Sequence, residues 1–276
     1  MQASCCAARS SRLRAFALES QVMLKSSVIF ESIRGFFVGA LLSSLPYFTV
    51  QLGTILLTYL LTKTTMDFLA AAEKAIPAEV HMISGCMDSQ TSADVSNVAS
   101  FSLPDPAGKA GGALTSSLLK VLYSDHHAPA EDLSFQDVLT KVKATLSGRY
   151  TQIPQLSSSR PMDISSPFEI APKGCTGTKR ALLIGINYIG QQGQLSGCHN
   201  DVLNMVEYLK DVHGFESQNI TLLLDDDGQH TSPTHSNILS AYRRLVDESA
   251  PGDAVYCHYS GHGGKLRDDD GDESEF

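Results

Sequence analysis

The chain has 276 residues, of which 30 are acidic and 21 basic, giving a net charge of −9. That length, with 42% apolar residues, suffices to bury the core of one or two domains. The acidic balance and the lack of a basic stripe exclude nucleic acid as a partner and suit a cationic substrate or a bound cation. Six scattered cysteines have neither zinc-ligand spacing nor the density of a disulfide scaffold, so a reducing compartment is expected.

In chain order, residues 1–34 read as a leader. Arg9, Arg12 and Arg14 occur there among Ser and Ala with no acid before residue 19, a composition shared by targeting segments and disordered leaders. Residues 35–62 are 28 positions without a formal charge. About 20 apolar residues cross a bilayer, so this stretch either spans a membrane or forms two buried or surface-lying segments, broken at Ser43, Ser44, Pro46 and Gln51. The chain is accordingly cytoplasmic, or membrane-associated through 35–62, with orientation open because the flanking charges are mixed.

Residues 64–170 have the composition of a folded α/β protein. Met66 to Ile76 reads as a helix closed by Pro77, and Glu79 to Ser84 as a short strand ending at Gly85. The stretch Cys86 to Asp94 is too polar for a core element, and 101–112, with two prolines and three glycines, reads as a loop. Leu114 to Tyr123 has helical spacing. So does Ser134 to Leu146, where Phe135, Val138, Leu139, Val142 and Leu146 form one stripe, Ser134 is the N-cap and Asp137 stands three residues on. Pro154 to Ser159 is an edge-strand candidate, and 171–178 a linker.

A second unit begins at Lys179. Arg180 to Ile186 is a nearly continuous apolar run, as in a strand covered on both faces. Asp201 to Asp211 reads as a helix, Asn219 to Leu224 as a strand stopped by an exposed acidic end at Asp225 to Asp227, Thr234 to Val246 as a helix and Ala254 to Tyr259 as a strand. Strands alternating with helices over short links imply a parallel sheet, which places its sites beyond the carboxyl ends of its strands. His262 stands three residues past such an end in Tyr259-Ser260-Gly261-His262-Gly263-Gly264. The glycines leave room for a substrate backbone, Tyr259 and Ser260 offer hydroxyls, and an imidazole exchanges protons near neutral pH.

These segments resemble the metacaspases, caspase-like peptidases of plants, fungi, algae and protists. The stretch 254–264 with the acids at 268–273 is similar to the family's histidine region, and 180–188 with 195–202 to its first strand and following turn. Ser84 to Val95 and Tyr150 to Ser159 are similar to signatures of its small, p10-like region. The resemblance implies a caspase-like three-layer α/β sandwich with a mostly parallel sheet, incomplete here, and a p10-like region at 64–170 preceding a p20-like region at 179–276. That order is the one of the permuted algal group.

For function, the resemblance implies a cysteine endopeptidase cleaving protein or peptide substrates after Arg or Lys, with His262 catalytic. Asp201 and Ser260 match residues lining the first specificity pocket, and Asp88 approaches the same cleft. Asp201 also reads as the N-cap of its helix, and the two roles are compatible. Asp94 joins Asp88 as a cleft candidate, with loop capping as the alternative for both. The nucleophilic Cys is expected roughly 50 residues after the histidine. The chain ends 14 residues after His262, and none of its six cysteines has the right context. A truncated product is therefore expected, with a non-catalytic protein that binds basic peptides or regulates active relatives as the alternative. No cofactor is required for the chemistry. Calcium is implied as an activator, without an assigned metal residue, since the six acids at 268–275 lack EF-hand spacing.

Overall fold

The structure, a computed structural model, describes residues 3–9 and 66–263 apart from 68, 72, 75, 88, 89, 91, 104–109, 125–127 and 130–132. The apolar stretch 35–62, the acid run 268–275 and Asp88 lie outside the described residues. Two compact units divide the chain. One comprises Met1–Leu13 with Ala78–Gly264 and holds all the elements below; the other, Arg14–Pro77 with Lys265–Phe276, is described only between residues 66 and 77. Among the described residues, no helix is long and apolar enough to cross a membrane.

Among the described residues the strands are β1 (Ala3–Arg9), β2 (Glu79–Ser84), β3 (Asp94–Val95), β4 (Gly111–Gly112), β5 (Tyr123–Ser124), β6 (Ala128–Pro129), β7 (Gln155–Ser158), β8 (Lys179–Gly185), β9 (Ile220–Leu224) and β10 (Ala254–Ser260). The same unit holds the α-helices α1 (Ala113–Leu122), α2 (Phe135–Leu146), α3 (Cys198–His213) and α4 (His235–Glu248). Six strands make one sheet in the order β7-β2-β1-β10-β8-β9. β10, β8 and β9 pair in parallel, as the strand–helix alternation predicts, whereas β1 is antiparallel to both neighbours and β7 to β2. Four of the six strands therefore run one way.

Alternation along the central strands divides the core into two layers. Ala181, Leu183 and Tyr256 face α1, α2 and α3, packing with Leu114, Leu118, Val138, Val142, Met205 and Leu209. Leu182, Ile184 and Val255 face the opposite way, against Leu245, Ile238 and Tyr242 of α4. The architecture is helix–sheet–helix, consistent with the caspase-like sandwich.

Four local expectations change. The helix placed at 201–211 begins three residues earlier, capped by Gly197 without a side-chain bond, so Asp201 lies inside its first turn and is no N-cap. Part of the loop at 101–112 is strand β4, paired with β3. Within the leader, Ala3–Arg9 forms β1, between β10 and β2. Cys257, whose place inside an apolar strand predicts burial, is partly exposed. The capping box of α2 is as read: Ser134 Oγ accepts from Asp137 N at 3.1 Å and Asp137 Oδ2 accepts from Ser134 N at 3.0 Å.

Candidate active site

β10 carries its chain to the carboxyl end of the parallel strands, where His262 is exposed. Two tyrosines hold its main chain. His262 N donates to Tyr188 Oη at 3.1 Å, and Tyr259 Oη donates to His262 O at 2.9 Å. The two hydroxyls lie 3.3 Å apart. The Tyr188 ring lies 4.7 Å from the imidazole, tilted by 36°. Gly261 is needed for this arrangement: a Cβ there would stand 2.8 Å from Tyr259 Oη and 3.3 Å from Tyr188 Oη.

His262 Nε2 lies 2.5 Å from the carbonyl oxygen of Gly193. A carbonyl only accepts, so Nε2 carries the proton and Nδ1 keeps the lone pair. An imidazole so oriented can take a proton at Nδ1 from a thiol.

Ser260 points away from this ring. Its hydroxyl donates to Asp201 Oδ2 at 2.7 Å, while Asp201 Oδ1 accepts from Gly112 N at 2.8 Å. Asp201 and Ser260 are 1% and 0% exposed. Burial pushes the Asp201 pKa up to about 7, against the lowering effect of its bonds from Ser260, Gly112 and Thr115. The specificity-pocket candidates from sequence are thus a bonded pair, closed from solvent by the start of α1. Asp94 is exposed and accepts from Ser196 N at 3.0 Å, which ties β3 to the turn before α3. Asp88, the remaining pocket candidate, lies outside the described residues.

The segments Ser84 to Val95 and Tyr150 to Ser159, which the sequence reading pairs, meet each other. Gln152 accepts from Ala93 N at 2.8 Å and donates to Gly85 O at 2.9 Å. Gln90 donates to Thr151 O at 2.6 Å and accepts from Ile153 N at 2.9 Å.

Cys198 is buried and its thiol is pushed up to about 12, first by burial, which keeps it protonated and unreactive. Cys86 Sγ bonds Gln90 O and Cys175 Sγ bonds Gly252 O. Of Cys86, Cys175, Cys198 and Cys257, none bonds His262. Among the described residues no group of His, Cys, Asp and Glu is arranged to hold a metal ion.

Sequence reading missed Gly193, whose contribution is a carbonyl and so independent of residue type, and Asp225. The carboxylate of Asp225 is half-buried rather than an exposed strand end, and accepts from Asn187 N at 2.8 Å, Ile189 N at 3.4 Å and His199 Nε2 at 2.6 Å. Burial raises its pKa, but these bonds outweigh it and hold the carboxyl below its ordinary range. Its place at the carboxyl end of β9 was the available signal.

Comparison with known proteins bears on the same segments. The family pattern described as the metacaspase peptidase C14 domain matches residues 179–276, and that of the caspase domain matches 28–164. Metacaspase III c of Phaeodactylum tricornutum (strain CCAP 1055/1) is 57% identical over 204 residues, covering 73% of this chain and 60% of that protein. The chain belongs to the metacaspase family. This metacaspase is also 53% identical over 102 residues to Metacaspase-1A of Aspergillus oryzae, and 52% identical over 102 residues to Metacaspase-1 of Botryotinia fuckeliana. Those matches cover 37% of this chain and 24% of each fungal protein. The metacaspase chain thus spans less than two thirds of the length of the relatives it matches.

Proposed function

We propose that His262 is the general base of a cysteine endopeptidase that cleaves proteins after Arg or Lys, and that its partner thiol is none of the six cysteines of this chain. The observation that carries the reading is the His262 ring, fixed through Nε2 on the Gly193 carbonyl with Nδ1 left as the base. Membership in a cysteine peptidase family supplies the reaction class: a thiolate attacks the peptide carbonyl, and the imidazolium returns its proton to the leaving amine.

Specificity for Arg or Lys rests on Asp201. A buried carboxylate whose ionised form is disfavoured gains more from an incoming cation than an exposed one does. Access to it requires the Gly111–Gly112 strand to draw back and Ser260 to release Oδ2. Calcium enters only as an activator without assigned residues, since the described part offers no donor set for it, and no chemical step runs through it. The region order with p10-like before p20-like, and membrane association through 35–62, belong to the same proposal.

The test is cleavage of fluorogenic peptides ending in Arg, Lys or Asp, by the chain alone and by the product of the transcript read past codon 276. The chain alone should be inactive. The extended product should cleave after Arg and Lys, and His262→Ala should lower its kcat/KM at least about 100-fold. A stop codon directly after codon 276, or an extended product that binds basic peptides without cutting them, would replace this reading by a non-catalytic binder.

A further inference from the structure

Tyr188 stands at φ +53°, a left-handed conformation that a bulky side chain adopts only when its surroundings impose it. The amides on either side of it, Asn187 N and Ile189 N, both donate to Asp225. Successive N–H groups around a left-handed residue form a concave anion-binding nest. Here the chain's own carboxylate fills that nest. Asp225 is anchored at the end of β9 and steadied by His199 Nε2 on its Oδ1. The far side of the loop is also held, because Asn187 Oδ1 accepts from Cys198 N at 3.0 Å and Asn187 O from Leu195 N at 2.8 Å.

Held this way, Tyr188 has its hydroxyl under the His262 amide and its ring beside the imidazole. Neither Asp225 nor His199 bonds His262 directly.

We propose that Asp225 is a positioning residue for His262, acting through the backbone of residues 187–189 and the side chain of Tyr188. The proposal rests on reading His262 as the working base. Its test observes the ring itself, so failure here is distinguishable from failure of the peptidase reading, which is measured by cleavage.

The experiment is NMR of the 276-residue chain with isotope-labelled His and Tyr, reading cross-relaxation between the Tyr188 and His262 rings, the ring-current shifts of the imidazole protons, and the nitrogen shifts that report which ring nitrogen is protonated. In the wild-type chain the cross-peaks should be present and Nε2 protonated. Asp225→Ala should abolish the cross-peaks, move the imidazole protons toward random-coil positions and mix the two tautomers. Asp225→Asn keeps one acceptor oxygen and presents an N–H to Ile189 N, so it should fall between the two. Tyr188→Phe should keep the ring shifts and speed hydrogen exchange at the His262 amide. Leu245→Ala, which weakens the opposite layer of the core, should leave the His262 signals at their wild-type positions. Wild-type His262 signals in a folded Asp225→Ala chain would overturn the proposal. If Asp225→Ala does not fold, wild-type signals in Asp225→Asn overturn it equally. So does a Leu245→Ala chain whose His262 signals move as far, because the effect is then one of general stability.

Discussion

His258 is 2% exposed on β10, and neither ring nitrogen has a hydrogen-bond partner among the described residues. Burial pushes its pKa down to about 4, so it is neutral across the physiological range. A buried polar group left unsatisfied costs about 1–3 kcal/mol. Replacing it by an apolar ring of similar size should therefore raise stability by about that amount. His258→Phe is expected to shift the urea midpoint upward with an unchanged slope; a lower midpoint would mean that the imidazole makes a contribution its geometry does not reveal. Sequence reading had no means of seeing this penalty, since a histidine inside an apolar strand looks the same whether or not it finds a partner. It did find Ser260 and Asp201, and these are joined in the fold. What it missed was the third member, Gly112, which lies 89 residues before Asp201 and contributes only a backbone amide.

At the level of elements, strands β8, β9 and β10 were legible because they are short apolar runs between polar turns, and α2 because its stripe and its capping box agree. The start of α3 was not legible. Gly197 offers no side-chain cap to announce it, and the acid that seemed to announce one, Asp201, serves the start of a different helix. The reason for a glycine at 197 is spatial: a Cβ would stand 2.5 Å from Gly111 Cα and 2.6 Å from Asp94 Oδ1. Backbone cannot yield as a flexible side-chain end can, and overpacking of this kind costs about 1–3 kcal/mol. Gly197→Ala should lower stability by that amount, and it should loosen the contact between β4 and α3, raising hydrogen exchange at Gly112 N more than at amides of β8. Equal increases at both places would mean that the substitution acts on the fold as a whole. Strand β1 was invisible for another reason: Ala3 to Arg9 has no period-two alternation, and its pairing comes from the backbone edges of β10 and β2.

Across the whole unit, titratable groups are buried with opposite consequences for stability. His258 and His213 are pushed down to about 4 by burial, Lys179 adding to the effect on His213, and His81 is lowered by burial as well. In the unfolded chain such imidazoles bind protons near 6.5. Unfolding therefore takes up protons between about 6.5 and 4, and stability falls as the pH drops through that window. Asp201 works the other way. Its carboxyl is raised to about 7 in the fold from 3.8, so the unfolded chain releases a proton that the fold still holds, and stability falls as the pH rises from about 4 to 7. Three imidazoles oppose one carboxyl where the windows overlap. Stability should rise from pH 4 and level off near pH 7.5, with Asp201 flattening the rise rather than reversing it. Urea midpoints across this range are the measurement. Asp201→Asn should steepen the rise, and His258→Phe should make it shallower. A slope unchanged in Asp201→Asn would show that Asp201 does not oppose the imidazoles, and its contact with Ser260 and the start of α1 would then not be pH-sensitive.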